Sequence, residues 1–565
     1  MVNLKEKPYY LKDEDIKWVE ETIASMTTEE KIGQLFMNMV ADRSEEALRA
    51  SVRKYHFAGT RYRSVSAEEL YEQNRILQDE SRIPLLVASN CEAGGNGGVG
   101  GGTPLANGAA LAAINDEDAS YKVGYMSAQE GGAIGCNWNF APVSDILFNW
   151  RNSVVQVRAI NNNTDDVCRL AKAFAMGVQD AGLAACIKHF PGDGTEENDQ
   201  HLMMGLNDLT CEEWDATFGK VYKTMIDAGV MTFMAGHIAQ PAYQRKLAGR
   251  ELKDSEILPA TLCHELITGL LKEKLGFNGL VVTDASHMVG MTAVMPRHLQ
   301  VPTAIAAGCD LFLFFDEQDF GFMMDGYKNG IITEERLSDA LHRTLGLKAA
   351  LGLHKKKAAG TIMPPKEDLA KVGCKEHIEA AHELADRFIT LVKDTQKALP
   401  LDPAKHKKIK LVYIGGTNRV VAGKLQAIED RTPELFKKAM EAEGFEVITQ
   451  DPEGVVKGNL AKVKETYDAV IVLANCVGFA TFNSMRIKWD NPANQPWYVP
   501  ELPTVFISTA LTNHLIDFTM SHTYINAYMD SPIVLEELVK KLTGKSEFKG
   551  RYNENVWCGR WDTKL

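Results

Sequence analysis

Gly279-Leu280-Val281-Val282-Thr283-Asp284 is an unbroken apolar run that ends on a carboxylate. A run apolar on both faces suits a strand covered on both sides, the condition of a parallel strand in βα units. Seven further runs of this kind precede or follow it, at 35–40, 58–62, 84–89, 136–142, 184–190, 229–235 and 309–315. Longer helix-like stretches separate them, among them 67–82, 165–181, 211–228 and 255–275. Eight strand–helix units within roughly 250–350 residues match a (β/α)8 barrel. A large doubly wound sheet is the alternative reading of the same alternation.

The 565 residues exceed what one core usually organises, so a second domain is expected. The last helix of the first region, 334–353, runs into Lys355-Lys356-Lys357 and Met363-Pro364-Pro365, a charged and proline-marked boundary. The organisation expected is therefore a barrel over 1–355, a linker with a connecting helix over 356–397, and a second α/β domain over 398–565. The connecting helix is read at 375–392. The second domain shows strands at 409–414, 446–449, 469–474, 504–508 and 523–528, with helices at 433–443 and 533–542, which suits a layered sheet with helices on both faces. Gly415-Gly416 after its first strand lacks the remaining glycine and the distal acid of a dinucleotide loop and reads as a turn.

With 62 basic against 75 acidic residues the net charge is −13, and no basic run offsets it. Such a surface repels phosphate backbones, so nucleic acid is not expected as a partner. No stretch is long and apolar enough to cross a membrane. The N-terminal Met1-Val2-Asn3-Leu4-Lys5 lacks the apolar core of a secretory signal, and the ten cysteines form no CxxC pair. A cytoplasmic location is the expectation. Oligomeric state has no signature here.

In a barrel the C-terminal strand ends line the mouth. The third end carries Asn90-Cys91-Glu92; the fourth leads to Asp145 and a loop with Arg158; the fifth carries Lys188-His189 and Pro191-Gly192-Asp193-Gly194. His237 lies near the sixth, Asp284 on the seventh, Asp316 on the eighth. Asp199-Gln200-His201 is an Asp-x-His pair on the loop after the fifth strand. A carboxylate beside an imidazole fixes its tautomer and stabilises its cation, as a general acid requires; a solvated polar turn would look the same. His189, His201, Asp199 and Asp193 are potential metal ligands, but their spacing matches no closed zinc site. For Asp284, capping of the next helix and chemistry stand level on local pattern alone.

Here the chain resembles glycoside hydrolase family 3, in its β-N-acetylhexosaminidase branch. The likeness starts at 26–35, MTTEEKIGQL, continues through 137–145, NWNFAPVSD, and the loop Lys188-His189-Phe190-Pro191-Gly192-Asp193-Gly194, and reaches 276–284, GFNGLVVTD. The resemblance implies a TIM-type barrel followed by a three-layer αβα sandwich. It implies Asp284 as nucleophile, His201 as acid/base with Asp199 as its partner, and Lys188, His189 and Arg158 as ligands of sugar hydroxyls. Asn90, Glu92 and His237 join them as expected substrate contacts. It also implies double displacement through a covalent glycosyl-enzyme with no metal or organic cofactor.

The substrate implied is a small glycan ending in β-linked N-acetylglucosamine, such as a chitin or peptidoglycan fragment. Three departures leave alternatives open. Asn90 stands where the family usually has aspartate; a glycine-rich loop, 97–102, follows, read as a flexible rim; Ala285-Ser286-His287-Met288 replaces an Asp-Asp-Leu-type sequence. A β-glucosidase, a glycoside phosphorylase and a weakly active sugar-binding protein remain as alternatives. Asn475, Phe482 and Arg486 are weaker candidates from the second domain.

Overall fold

The computed structural model describes the chain apart from residues 416–417, 422–423, 428–429, 453–454, 456–457, 477–485, 488 and 490–494, with the side chains of 416–429 also outside the description. Gly416 and Phe482 therefore lie outside the described residues. The chain divides into two compact units. One comprises Met1–Pro104, Glu117–Phe148 and Asn163–His377; the other comprises Leu105–Asp116, Asn149–Asn162 and Ile378–Leu565.

The first unit is a closed barrel of eight parallel strands. They are β1 (Phe36–Met39), β2 (Gly59–Arg61), β3 (Leu86–Ser89), β4 (Trp138–Asn139), β5 (Ala184–Phe190), β6 (Thr232–Ala235), β7 (Leu280–Ala285) and β8 (Leu311–Leu313). Each neighbours the next in sequence, and β1 closes on β8 through Phe36 against Phe312. Every apolar run expected as a strand supplies one. The strands are buried on both faces, β5 at all seven positions, which is why they read as continuous apolar runs.

The outer helices depart from expectation in two places: 211–228 carries a π-helical turn at Asp215–Gly219, and 255–275 is broken. The stretch 255–275 is not one helix but a short 3-10 turn, Ala260–Leu262, and a π-helix, Glu265–Lys274. Pro259 stands before that turn with extended backbone and has no N–H to extend a helix across it.

The second unit holds a six-stranded sheet. Its strands are β9 (Thr390–Asp394), β10 (Lys408–Ile414), β11 (Glu446–Ile448), β12 (Ala469–Ala474), β13 (Thr504–Ser508) and β14 (Thr523–Asn526). Their order is β9-β14-β13-β12-β10-β11, parallel except for the antiparallel pair β9–β14. Every residue of β12 and β13 is buried, so both faces of the sheet are covered. Val470, Val472, Phe506, Tyr524 and Trp557 belong to one of its cores.

Strand β9 lies inside the segment read as linker and helix. The helix Lys375–Phe388 stops there, and the β-branched Ile389, Thr390 and Val392 favour extended pairing with β14. No helix among the described residues is long and apolar enough to cross a membrane.

Candidate active site

The mouth of the barrel is built from the ends of β2, β3, β5 and β7 and the loop after β5. Asp284 is the penultimate residue of β7, with only 15% of its side chain exposed. Its Oδ1 accepts the N–H of Ala285 at 2.7 Å. The next helix, Val289–Thr292, begins after Met288, so Asp284 is not its cap. Asp316 instead is the N-cap residue of helix Glu317–Lys328, its N–H donating to Asp319 at 2.9 Å.

Burial alone would raise the Asp284 carboxyl, but the imidazoles of His189, His237 and His201 outweigh it and hold the group down at about 2. Of these, His189 pairs with it directly, its Nε2 lying 3.8 Å from Asp284 Oδ2. The opposite ring nitrogen, Nδ1, lies 2.7 Å from Oδ2 of Asp145. Asp145 is fully buried, and its other oxygen accepts the N–H groups of His189 and Asp193 at 3.0 and 2.9 Å. It is thus the clamp that orients His189. Beside it the buried Lys188 pairs with Glu92 at 2.6 Å.

The turn carrying Asn90 and Glu92 is held by Asn139 on β4, whose amide accepts the N–H of Cys91 at 2.9 Å and donates to its carbonyl at 3.1 Å. Part of the glycine-rich stretch packs against this turn, while Gly100 and Gly101 are exposed. A Cβ on Gly95 would fall 1.9 Å from Glu130 Oε2, and one on Gly97 would fall 2.2 Å from the Asn90 carbonyl. Glu130 in turn bonds Thr103, Gly373 and His377.

The loop after β5 positions the Asp-x-His pair. Asp199 is 1% exposed, and its Oδ1 accepts from His201 twice, from the backbone N–H at 2.8 Å and at ring Nδ1 at 2.6 Å. The pair is therefore a built dyad rather than a solvated turn. Val289 and Gly290, just beyond β7, donate to the carbonyls of His201 and Gln200 at 3.2 and 3.1 Å. His201 is thereby carried to the side of the mouth where Asp284 stands.

His237 departs from its expected role as a substrate contact. It has no exposure, its Nε2 donates to the Ala285 carbonyl at 3.0 Å, and its Nδ1 lies 2.9 Å from the Thr261 hydroxyl. Both ring nitrogens serve the protein, and what the ring braces is the end of β7. Burial, against the opposing pull of Asp284, pushes it down to about 4, so it is neutral near pH 7.

Arg158 belongs to the second unit, in a short turn, Gln156–Arg158, where its guanidinium donates to the Val154 carbonyl at 3.5 Å. Asn475 also belongs to that unit and donates to Thr432 and Asp530, while Arg486 pairs with Asp517. The structure thus gathers Asp284, His201, Asp199, Lys188, His189, Asn90 and Glu92 at one barrel mouth. Among the described residues no three His, Cys, Asp or Glu side chains converge as a metal site. Two residues escaped the sequence reading: Asn139, which holds the Asn90 turn, and Arg61 at the end of β2. Arg61 was findable, since it is a charged residue near the C-terminal end of the run 58–62.

Known proteins resemble this chain along most or all of its length. Residues 27–347 match the N-terminal domain of glycosyl hydrolase family 3. A "beta-N-acetylglucosaminidase/beta-glucosidase" of Cellulomonas fimi is 39% identical over 575 residues, covering 100% of each chain. A solved "beta-glucoside phosphorylase" is 37% identical with a TM-score of 0.91 over 99% of each chain. A solved β-N-acetylglucosaminidase from Paenibacillus, 24% identical, shares the fold with a TM-score of 0.77 over 93% of this chain and 98% of its own.

Proposed function

The chain belongs to glycosyl hydrolase family 3 and is a glycosidase, and on that premise we propose that it is a retaining, exo-acting enzyme that removes terminal β-linked N-acetylglucosamine from small glycans. The observation that carries this reading is the Asp199–His201 dyad at 2.6 Å, on the side of the mouth that holds the ionised Asp284. Asp284 attacks the anomeric carbon while cationic His201 gives its Nε2 proton to the departing glycosidic oxygen. The bond to that oxygen breaks as the bond from Asp284 forms. Neutral His201 then takes a proton from water as the water oxygen attacks the same carbon and Asp284 leaves. Asp199 keeps the ring oriented and balances the imidazolium, as the aspartate of a serine protease triad does. Lys188, His189, Asn90 and Glu92 are the groups that hold the sugar.

The test is turnover of aryl β-N-acetylglucosaminide and aryl β-glucoside side by side, with trapping by a 2-fluoro glycosyl fluoride. A covalent adduct on Asp284 and a preference for the N-acetylglucosaminide are expected. A preference for the glucoside would reassign the sugar, and absence of any adduct would favour a binding protein.

A second reading, phosphorolysis, is favoured by the full-length likeness to a beta-glucoside phosphorylase. An imidazole repels an anionic acceptor less than a carboxylate does, so phosphate can take the place of water. A phosphate oxygen then bonds to the anomeric carbon as the ester to Asp284 breaks, giving a sugar 1-phosphate. Product analysis in phosphate buffer separates the two.

A further inference from the structure

Arg61 ends β2 at the barrel mouth and is half-buried. Its Nε–H donates to Oδ1 of Asn90 at 3.1 Å, and among the described residues no carboxylate lies within 4.0 Å of the guanidinium. Glu92, the nearest candidate along the chain, is engaged by Lys188 at 2.6 Å. With one lone pair of the Asn90 amide oxygen engaged by Arg61, the pair presents mainly N–H donors: the terminal groups of the guanidinium and the NH2 of the amide. An aspartate at position 90 would have neutralised Arg61 and offered acceptors instead.

The place of the pair in the ring says which part of a substrate it meets. β2 lies four strands round from β6, opposite it, whereas His201 sits on the loop between β5 and β6, bound to the segment after β7. The anomeric carbon belongs between Asp284 and His201, with the leaving group on the side of His201. Arg61 and Asn90 stand across the mouth, where a pyranose presents the carbons farthest from the anomeric centre, C4 and C6.

We propose that Arg61, oriented by Asn90, is a specificity-determining residue that donates hydrogen bonds to the C4 or C6 hydroxyl oxygen of the glycon. This rests on the glycosidase reading. The residue at position 90 then sets whether that end of the pocket reads a hydroxyl as acceptor or as donor.

The test compares kcat/KM for an aryl β-glucoside and its 4-deoxy and 6-deoxy analogues in the intact wild-type enzyme, in Arg61→Gln and in Asn90→Asp. Wild type is expected to lose about 10–100-fold on one of the deoxy analogues, the worth of a charge-assisted hydrogen bond. Arg61→Gln is expected to lose a similar factor on the parent glucoside and to discriminate less than about threefold against that analogue. Asn90→Asp, which keeps Arg61 but pairs it, is expected to shrink the same penalty. A full deoxy penalty in Arg61→Gln overturns the proposal; if that variant does not fold, an unchanged penalty in Asn90→Asp does so. A wild type that turns over no aryl glycoside and traps no 2-fluoro sugar overturns the glycosidase reading too. Turnover with unaltered penalties overturns the role of Arg61 alone.

Discussion

His189 stands between two carboxylates, with Nδ1 2.7 Å from Asp145 and Nε2 3.8 Å from Asp284. The buried aspartate accepts a hydrogen bond from Nδ1–H, which turns the other edge of the ring toward the nucleophile. A strand-end histidine is thus aimed by a residue it meets only in three dimensions.

Asp284 is held at about 2, so it is ionised over the whole range in which the protein is handled. Trapping by a 2-fluoro glycosyl fluoride needs little help from an acid, because fluoride leaves readily. Its rate is expected to stay within about threefold between pH 4 and pH 7. A tenfold fall by pH 5 would mean that the nucleophile titrates there. Asp284→Asn is expected to lose at least about a thousandfold in kcat on any substrate.

His201 does work that scales with the leaving group. His201→Ala is expected to cost about 100–10,000-fold in kcat/KM on an unactivated disaccharide. On a dinitrophenyl glycoside, whose phenolate needs no proton, the cost in the first step is under about tenfold. Asp199→Asn, which leaves the ring without its anchor, falls between wild type and His201→Ala on the disaccharide. Equal losses on both substrates would place His201 outside proton transfer.

His237 links stability to pH. Its pKa is pushed from 6.5 to about 4 by burial, so the unfolded chain binds a proton that the folded one refuses between those values. The stabilisation is complete above about pH 6.5 and is lost as the pH falls toward 4, by about 3 kcal/mol for this one group. Urea melts at pH 7.5 and 4.5 are expected to show a smaller pH-dependent loss in His237→Gln than in wild type. A loss as large as wild type's would assign the acid sensitivity elsewhere.

At the opposite end of the barrel, fully buried Asp310 accepts from Lys272 at 3.0 Å and from the N–H of Val281 at 2.8 Å, and it pairs with Arg336. Burial pushes Lys272 down to about 7 despite the attraction of Asp310. Removing one partner strands the others, so Asp310→Ala is expected to destabilise by about 3–5 kcal/mol. Trapping by a 2-fluoro sugar should persist below the lowered melting temperature. Thermal melts and trapping on the same sample check both halves.

The sequence by itself determined the barrel, the presence of a second layered α/β unit and most of the residues at the mouth. A strand buried on both faces must be apolar throughout, so eight such runs announce eight parallel strands, and their polar C-terminal ends are where a barrel opens. The Asp199–His201 pair was equally legible, since its partners are two residues apart. Pairings between distant residues were decided only by the tertiary structure. Asp145 meets His189 across 44 residues, Arg61 meets Asn90 across 29, and His237 meets the Ala285 carbonyl across 48. Strand β9, Thr390–Asp394, reads as linker and helix until β14 pairs with it. Each of these depends on which strands become neighbours and in what register. That is settled by the closure of the sheet, and no window along the chain carries it.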